Sequence, residues 1–291
     1  MKVLLTGASG FIGSRLSKRL ETAGHRVLPV SRKPGAGYDW SDKSLAEGVR
    51  EADAIIHLAG ENLFAKRWST AQKEVLRSSR TAPTMKLASL AAERKPACFI
   101  SASAVGYYGP NSNDQLHEGS PHGHDFLASL CSDWEAATTA ASTAGVRTAV
   151  VRTGVVLGLG GGALSKMLPP FKLGLGGPLG SGKQWVSWIH IEDLVSVFLF
   201  ILENPNASGA FNGTAPQPVT MKELAKSLGR ALHRPAIFPV PAPMLRLALG
   251  EVADILLTGQ YVEPRRTSEA GFKFQFADVE RAMIDILRRK S

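Results

Sequence analysis

The sequence predicts an α/β protein with a Rossmann-like, doubly wound parallel sheet and a smaller C-terminal α/β lobe. Two observations carry this prediction. First, an apolar strand at residues 3–5 runs directly into the turn formed by Gly7, Gly10 and Gly13, which opens an amphipathic helix. Second, short apolar strands alternate with helical segments as far as residue 152. This alternation is typical of a parallel sheet with helices on both faces.

The glycines in this turn can be explained by the binding of a dinucleotide. A dinucleotide pyrophosphate must lie against bare backbone N–H groups at a helix N-terminus, where a Cβ atom would obstruct it and the helix dipole favours negative charge. The helix is predicted over residues 11–23, and Gly24 ends it. The predicted cofactor contacts of this turn are Gly7, Gly10, Phe11, Ile12 and Gly13.

The remaining elements of the sheet domain follow at regular spacing. In chain order the sequence predicts a strand over 26–31, a short helix over 45–50, a strand over 53–60, a long helix over 69–94, a strand over 97–101, a helix over 125–144 and a strand over 148–152. Ligands collect at the carboxyl ends of such parallel strands. The candidate site is therefore expected at that edge of the sheet.

Beyond Gly154 the regular alternation ends. Glycine-rich loops follow at 158–162 and 174–182, and prolines punctuate the chain from residue 235. We therefore predict a dinucleotide-binding domain over residues 1–154, to which residues 186–204 return, and a smaller lobe on the substrate side over residues 155–291.

The composition narrows the class of protein. A chain of 291 residues with 44% hydrophobic content can bury one large core or two unequal ones. Cys98 and Cys131 are the only cysteines, in no metal or redox spacing, so neither a disulfide framework nor a metal site is predicted. The net charge is +9, but Lys and Arg are scattered, which argues against a nucleic-acid partner.

The first residues of the chain are informative about targeting to a cellular compartment. Residue 2 already begins the first strand, and no long apolar run is present. This pattern predicts neither a signal peptide nor a membrane span. We therefore expect a cytoplasmic protein with no membrane partner.

The end of the second predicted strand selects the cofactor. An acidic residue there would accept hydrogen bonds from the ribose 2′-hydroxyl of NAD, whereas a 2′-phosphate needs a cation. Here Ser31 can donate its hydroxyl and Arg32 can form a bidentate pair with phosphate. An exposed basic turn is the alternative interpretation. The sequence predicts NADP(H).

Several motifs in one order resemble the extended short-chain dehydrogenase/reductase superfamily, which includes the NAD-dependent epimerases and dehydratases. These motifs occupy residues 6–13, 53–60, 101–105 and 188–193. More narrowly, residues 58–62, 67–68, 157–162 and 176–182 are similar to an atypical, YfcH-like epimerase family. The resemblance covers essentially the whole chain, and the family's C-terminal domain of unknown function would span residues 235–291.

The resemblance implies further cofactor contacts. These are Leu58 and Ala59 on the adenosine side, Arg80 at the phosphates or ribose, Val156 near the nicotinamide, and also Gly60 and Ser101.

The catalytic residues depart from the superfamily pattern. Usual members use a Ser, a Tyr and a Lys, in which the Tyr exchanges a proton with the substrate oxygen while hydride moves at the nicotinamide. Ser103 is retained, but Phe126 or Leu127 takes the tyrosine place and Leu130 or Cys131 the lysine place. Tyr-x3-Lys occurs nowhere in the chain. The usual proton relay is therefore missing.

Substitute proton donors are available on the loop that follows Ser103. Tyr107 and Tyr108 could each place a phenol near the nicotinamide, and packing beneath the loop is the equal alternative for both. The candidate catalytic residues are Ser103, Tyr107 and Tyr108.

Two classes of function remain. The first is an NADP(H)-dependent oxidoreductase or epimerase-like enzyme acting on an unidentified small substrate, with an anionic substrate as one option. The second is a catalytically weak or inactive NADP(H)-binding protein that senses the cofactor or binds a partner. The glycine turn and Ser103 favour the first, and the missing Tyr and Lys favour the second. The oligomeric state is not predicted.

Overall fold

The strands of the protein, seen in a computed structural model, lie where the sequence predicts a parallel sheet, and several short strands follow. The structure describes residues 1–32, 35 and 37–288, without the side chains of 111–113, so residues 289–291 of the predicted C-terminal lobe lie outside it. In chain order the strands are β1 Lys2–Thr6, β2 Arg26–Val30, β3 Ala54–His57, β4 Cys98–Ala104, β5 Asn111–Leu116, β6 Thr148–Thr153, β7 Val155–Leu157, β8 Trp185–Val186, β9 Trp188–His190, β10 Gly209–Gly213, β11 Val219–Thr220 and β12 Gln260–Val262.

The helices connect these strands and continue into the C-terminal lobe. They are α1 Phe11–Thr22, α2 Asp42–Glu51, α3 Thr70–Arg94, α4 Phe126–Ala136, α5 Thr139–Thr143, α6 Gly162–Lys172, α7 Ile191–Glu203, α8 Met221–Leu232, α9 Ala242–Leu249, α10 Asp254–Leu257, α11 Arg265–Glu269 and α12 Val279–Arg288, with 3-10 turns at Val105–Tyr108 and Gly250–Ala253. None of the helices within the described residues is long and apolar enough to cross a membrane.

The single helix predicted over 125–144 is two helices, α4 and α5. The hydroxyls of Thr138 and Thr139 donate to the carbonyls of Glu135 and Ala136, three residues back in each case. Such local side-chain bonds compete with the helical backbone pattern. The two threonines therefore lie at the break between the helices.

The central sheet has six parallel strands in the order β2-β1-β3-β4-β6-β10. An isolated parallel bridge between Val30 and Tyr38 extends it by one position beyond β2. The chain winds in opposite directions on the two sides of β1, so a crevice opens between the carboxyl ends of β1 and β3. The predicted α/β fold is confirmed.

Helices cover both faces of this sheet. Val3 and Leu5 of β1 face a core formed with α1 and α7, whereas Leu4 between them faces α2, α3 and α5. The alternation follows from the two-residue period of a strand. Because α7 packs beside α1, residues 191–203 of the predicted return segment 186–204 lie on the sheet domain, whereas Val186 and Trp188 belong to the core of the C-terminal lobe.

The C-terminal lobe has its own apolar core. Helices α6, α8 and α12 pack around Trp188, which is fully buried. Asp193 in the first turn of α7 joins the two cores, because its carboxylate accepts the backbone N–H groups of Gln275 and Phe276 at 3.0 and 2.9 Å. Burial raises the pKa of Asp193. The lobe is thus held directly against the helix layer of the sheet.

Candidate functional site

The glycine turn between β1 and α1 is closed too tightly for side chains. The Gly10 N–H donates to the Gly7 carbonyl at 3.0 Å, and Gly7 has a φ of +72°. A Cβ atom at Gly13 would lie 2.0 Å from the Gly7 oxygen, and one at Gly10 would lie 3.2 Å from it. Gly13 is therefore required by the turn itself, whereas Gly10 keeps the outer surface of the turn bare.

The helix that follows this turn leaves its N-terminus to a ligand. No described side chain caps α1, and its first turn contains no acidic residue. The N–H groups of Phe11 and Ile12 belong to the first turn, where backbone donors have no partner within the helix. Bare donors and the positive end of the helix dipole match a pyrophosphate, so the residues present fit a dinucleotide.

The carboxyl ends of β1 and β3 are joined by a small hydrogen-bond cluster. The Thr6 hydroxyl oxygen accepts the N–H groups of Leu58 and Ala59 at 3.1 and 3.2 Å, and it lies 2.6 Å from His57 Nδ1. Burial lowers the pKa of His57 to about 3, so the imidazole is neutral. The cluster fixes the backbone of the two residues predicted on the adenosine side.

Arg80 lies beneath the predicted cofactor loop. Its guanidinium donates to the carbonyls of Leu76 and Glu61 at 3.0 and 2.8 Å, and it lies 5.2 Å above the Trp134 ring. A Cβ atom at Gly60 would lie 3.3 Å from the Arg80 side chain. Burial lowers the pKa of Arg80. The structure therefore shows Arg80 anchoring the loop after β3 through backbone carbonyls.

Arg32 lies at the carboxyl end of β2 with an exposed side chain. The preceding residue is fixed, because the Ser31 N–H donates to the Tyr38 carbonyl at 2.8 Å. Since β2 is the neighbour of β1 in the sheet, this end lies beside the glycine turn. The cation is thus placed at the same edge as the helix N-terminus.

A second glycine segment, 158–162, contacts the first helix, which the sequence did not predict. A Cβ atom at Gly161 would lie 2.5 Å from the Phe11 ring, and one at Gly158 would lie 3.1 Å from it. Arg15 Nη2 donates to the Leu159 carbonyl at 2.7 Å. The glycines themselves were the available signal, since a side chain at Gly161 would overlap the Phe11 ring. Half-buried Val156 in β7 leads into this segment.

Ser103 at the end of β4 belongs to a buried ion-pair network. Its hydroxyl donates to Glu135 Oε1 at 2.6 Å, and Arg152 holds both oxygens of that carboxylate at 2.8 Å. Burial works against the guanidinium charge, but Glu135 outweighs it and raises the pKa of Arg152. Ser101, also predicted to touch cofactor, is fully buried two residues earlier.

Tyr108 continues the same network to β10 of the central sheet. Its hydroxyl accepts from Arg152 Nη1 at 3.0 Å and donates to Asn212 Oδ1 at 2.7 Å. Burial raises the pKa of Tyr108 to about 12. We call Ser103, Glu135, Arg152, Tyr108 and Asn212 the buried polar network. Both hydrogen-bonding functions of the Tyr108 hydroxyl are engaged within it.

Tyr107 differs from its neighbour. It is half-buried, and no described residue hydrogen bonds to its hydroxyl. The Arg152 guanidinium carbon lies 3.4 Å from the centre of its ring. The network thus holds the Tyr107 ring by its face and leaves its phenol available.

Sequence reasoning missed Glu135, Arg152 and Asn212. Ser103, Arg152 and Asn212 are partners in register across the adjacent strands β4, β6 and β10. A charged residue inside the apolar strand predicted over 148–152 was the signal that could have found them. A buried cation requires a buried acid, and α4 supplies it.

Phe126 and Leu130, two of the residues predicted in the tyrosine and lysine places, carry no proton donor. Phe126 stacks edge-to-face with Trp68 at 5.1 Å. Leu130 is buried, and burial raises the pKa of the Cys131 thiol to about 12. Within the described part of the chain, no group of three or more His, Cys, Asp or Glu side chains could hold a metal ion.

Comparison with known families agrees with this geometry. Residues 3–212 match the NAD dependent epimerase/dehydratase family, and residues 240–286 match a domain of unknown function, DUF1731. The relatives include the mouse epimerase family protein SDR39U1, 44% identical over 99% of this chain and 100% of its own. The Mycobacterium tuberculosis epimerase family protein MT2273 is 42% identical over 97% of this chain and 96% of its own.

Solved structures show the same fold. The crystal structure of human epimerase family protein SDR39U1 (isoform 2) with NADPH has a TM-score of 0.92 and 39% identity, and covers 99% of both chains. UDP-N-acetylglucosamine 4-epimerase from Bacillus cereus has a TM-score of 0.81 at 16% identity over 100% of both chains, a likeness of fold alone. The family predicted from the sequence motifs is confirmed.

Proposed function

Because the chain belongs to the NAD dependent epimerase/dehydratase family, we propose that it binds NADP(H) at the β1–β3 crevice and acts as an oxidoreductase or epimerase-like enzyme on a small substrate. The uncapped N-terminus of α1 behind a turn with no room for side chains carries the proposal. The human relative crystallised with NADPH supports it.

The residues divide into three roles under this proposal. The turn from Gly7 to Gly13 holds the pyrophosphate, and Ser31 with Arg32 holds the 2′-phosphate. When bound, the cofactor supplies hydride transfer. Because Tyr-x3-Lys is missing, a different group must exchange the proton with the substrate oxygen, and the free phenol of Tyr107 is the candidate that the contacts favour.

A second candidate function is supported by the buried polar network. The hydroxyls of Ser103 and Tyr108 are both engaged by other protein groups, which is what a protein that binds NADP(H) without turnover would tolerate. NADPH consumption against a panel of small carbonyl metabolites, anionic ones included, separates the two functions. Saturable consumption with any of them supports the enzyme, and NADPH binding without consumption supports the sensor.

Arg32→Asp is expected to remove the preference for NADPH over NADH. A bidentate contact to a phosphate contributes about 1.5–3 kcal/mol, so NADPH affinity should fall by about 10- to 100-fold while NADH affinity stays level or rises. Isothermal titration calorimetry with both cofactors measures this. Lys43→Asp, at an exposed cation on α2, is the matched control and should change neither affinity. Equal affinities of the unmodified protein for the two cofactors would show that Arg32 does not read the 2′-phosphate.

Tyr107→Phe and Tyr108→Phe are expected to have different effects. Tyr108→Phe leaves Asn212 Oδ1 and an Arg152 donor without their partner, which should cost about 1–3 kcal/mol of unfolding free energy. Tyr107→Phe should change stability by less than about 0.5 kcal/mol, because its hydroxyl has no described partner. Urea unfolding measures both changes.

The same two variants test the proton donor. For any substrate that supports NADPH consumption, Tyr107→Phe should lower kcat by about 100-fold or more with NADPH affinity unchanged. A full rate in Tyr107→Phe would exclude that phenol.

A further inference from the structure

Exposed apolar side chains are concentrated on the C-terminal lobe. Among the described residues, six of the ten large apolar side chains that are exposed lie in segments 173–175 and 237–247. They are Leu173 at 76%, Leu175 at 59%, Ile237 at 70%, Phe238 at 49%, Met244 at 62% and Leu247 at 79% exposure. We call these six residues the apolar ridge. Single exposed apolar residues are ordinary, but a cluster of this kind marks a binding surface.

The backbone shows that the two segments form one surface. The Phe238 N–H donates to the Gly176 carbonyl at 3.1 Å, and the Val240 N–H donates to the Pro178 carbonyl at 2.9 Å. The chain then enters α9, which has no buried residue. Met244 and Leu247 are three residues apart on this helix and share a face. Residues 176–178 and 238–240 therefore lie side by side, and α9 follows them directly in the chain.

Basic residues outnumber acidic ones around the ridge. Residues 159–191 and 224–250 contain no Asp or Glu but carry seven Lys and Arg residues, against a net charge of +9 for the whole chain. Arg230 and Arg246 pair with Glu280 and Asp254 from outside these segments. Further exposed cations that border the ridge in sequence are Lys166, Lys183 and Arg234, which we call the basic flank.

We propose that the apolar ridge and its basic flank dock this protein on the surface of an anionic lipid bilayer. Such a surface offers acyl chains to exposed Leu, Ile, Phe and Met and anionic headgroups to Lys and Arg. Surface docking needs no membrane-spanning segment. The proposal nevertheless departs from the sequence-based expectation of no membrane partner.

The charge pattern favours a bilayer over a second copy of the chain. A two-fold symmetric dimer through the ridge would place the same surface on both sides of the interface. The basic flank would then face itself, and like charges across an interface are unfavourable. An anionic bilayer would provide headgroups for the basic flank and acyl chains for the apolar ridge at the same time.

Co-sedimentation with vesicles tests the proposal. The full-length protein is mixed with vesicles of phosphatidylcholine alone or of phosphatidylcholine with phosphatidylglycerol. Binding is expected only to the second, and it should weaken as salt is raised. Leu175→Ser with Ile237→Ser should lower the partition coefficient by about tenfold or more, since two apolar contacts are lost. Lys183→Glu with Arg234→Glu should lower it by at least about tenfold.

Matched controls lie on the sheet domain. Val75→Ser with Met85→Ser changes two apolar residues of α3 that are 47% and 52% exposed, and Lys18→Glu with Arg19→Glu reverses two exposed cations of α1. Both should bind vesicles as the unmodified protein does. Retained NADPH affinity in the ridge and flank variants shows that they are folded.

Three outcomes would overturn the proposal. They are absence of binding to anionic vesicles, binding that the ridge variant retains in full, and a stable dimer in light scattering that Leu175→Ser with Ile237→Ser converts to a monomer.

Discussion

Gly13→Ala should abolish NADPH binding and strongly destabilise the protein. The new Cβ atom would lie 2.0 Å from the Gly7 oxygen and 2.9 Å from the Ala8 Cα, and both of these are backbone atoms that cannot swing away. The turn must open to admit the methyl group. Forced overpacking of this kind should cost about 3 kcal/mol or more of unfolding free energy. Opening the turn also moves the α1 N-terminus, so NADPH affinity should fall by at least about 100-fold, the equivalent of about 2.7 kcal/mol.

Gly10→Ala and Gly24→Ala should have smaller effects than Gly13→Ala and serve as comparisons. A Cβ atom at Gly10 meets only the Gly7 oxygen at 3.2 Å, so the fold should survive while the methyl group obstructs the pyrophosphate. Gly24 has a φ of +82° with nothing within 4 Å of a Cβ atom, so its alanine variant should lose about 1 kcal/mol of stability and no cofactor affinity. Thermal unfolding and calorimetry measure all three variants. Unchanged NADPH binding in Gly13→Ala would show that the cofactor does not use this turn.

The strand and turn signals predicted the sheet because they are local. Residues 3–5 are apolar on both faces of a buried strand, and the glycines that follow have no function in an ordinary helix entry. The family and the Rossmann-like fold follow from such local patterns. The bridge between Tyr38 and Val30 could not be predicted in this way, because a single bridge produces no alternating pattern in the sequence.

Contacts between distant segments could not be predicted in the same way. Arg80 was expected at the phosphates or ribose, which stays a prediction; what the sequence did not indicate is that its guanidinium donates to the carbonyls of Leu76 and Glu61. The sequence shows that a cationic side chain is present, but it does not show which hydrogen-bond acceptors lie near that side chain in the fold. The contact of Phe11 with Gly161 could not be predicted for the same reason, because the two residues are 150 positions apart in the chain.

The buried polar network shows the same limit at the catalytic end of the site. Ser103 was found by its motif, but its hydrogen-bond acceptor lies on a helix 32 residues away. Once the register of β4, β6 and β10 is known, Arg152 stands between Ser103 and Asn212. An ion pair and a phenol thus belong to the same network as Ser103. Catalysis would therefore depend on a proton donor outside the network's hydrogen bonds, such as the Tyr107 hydroxyl.

Arg152→Met should be the most destabilising change within that network. Arg152 is 5% exposed and Glu135 is 14% exposed, so removing the guanidinium leaves a carboxylate that solvent can hardly reach. Breaking a buried pair from one side typically costs about 3–5 kcal/mol. The change also removes the donor to the Tyr108 hydroxyl and the cation above the Tyr107 ring.

A double-mutant cycle separates the pair from its surroundings. Glu135→Gln keeps the shape of the side chain and an acceptor for Ser103, so it should cost about 1–3 kcal/mol. In Glu135→Gln with Arg152→Met no uncompensated charge remains, and the combined loss should be smaller than the sum of the single losses by about 1 kcal/mol or more. Urea unfolding of the four proteins at neutral pH gives the coupling free energy. Lys18→Met, at an exposed cation on the sheet domain, controls for loss of charge and should change stability by less than about 0.5 kcal/mol. Strictly additive losses would mean that Glu135 and Arg152 act separately, and the network would then be a set of unrelated contacts.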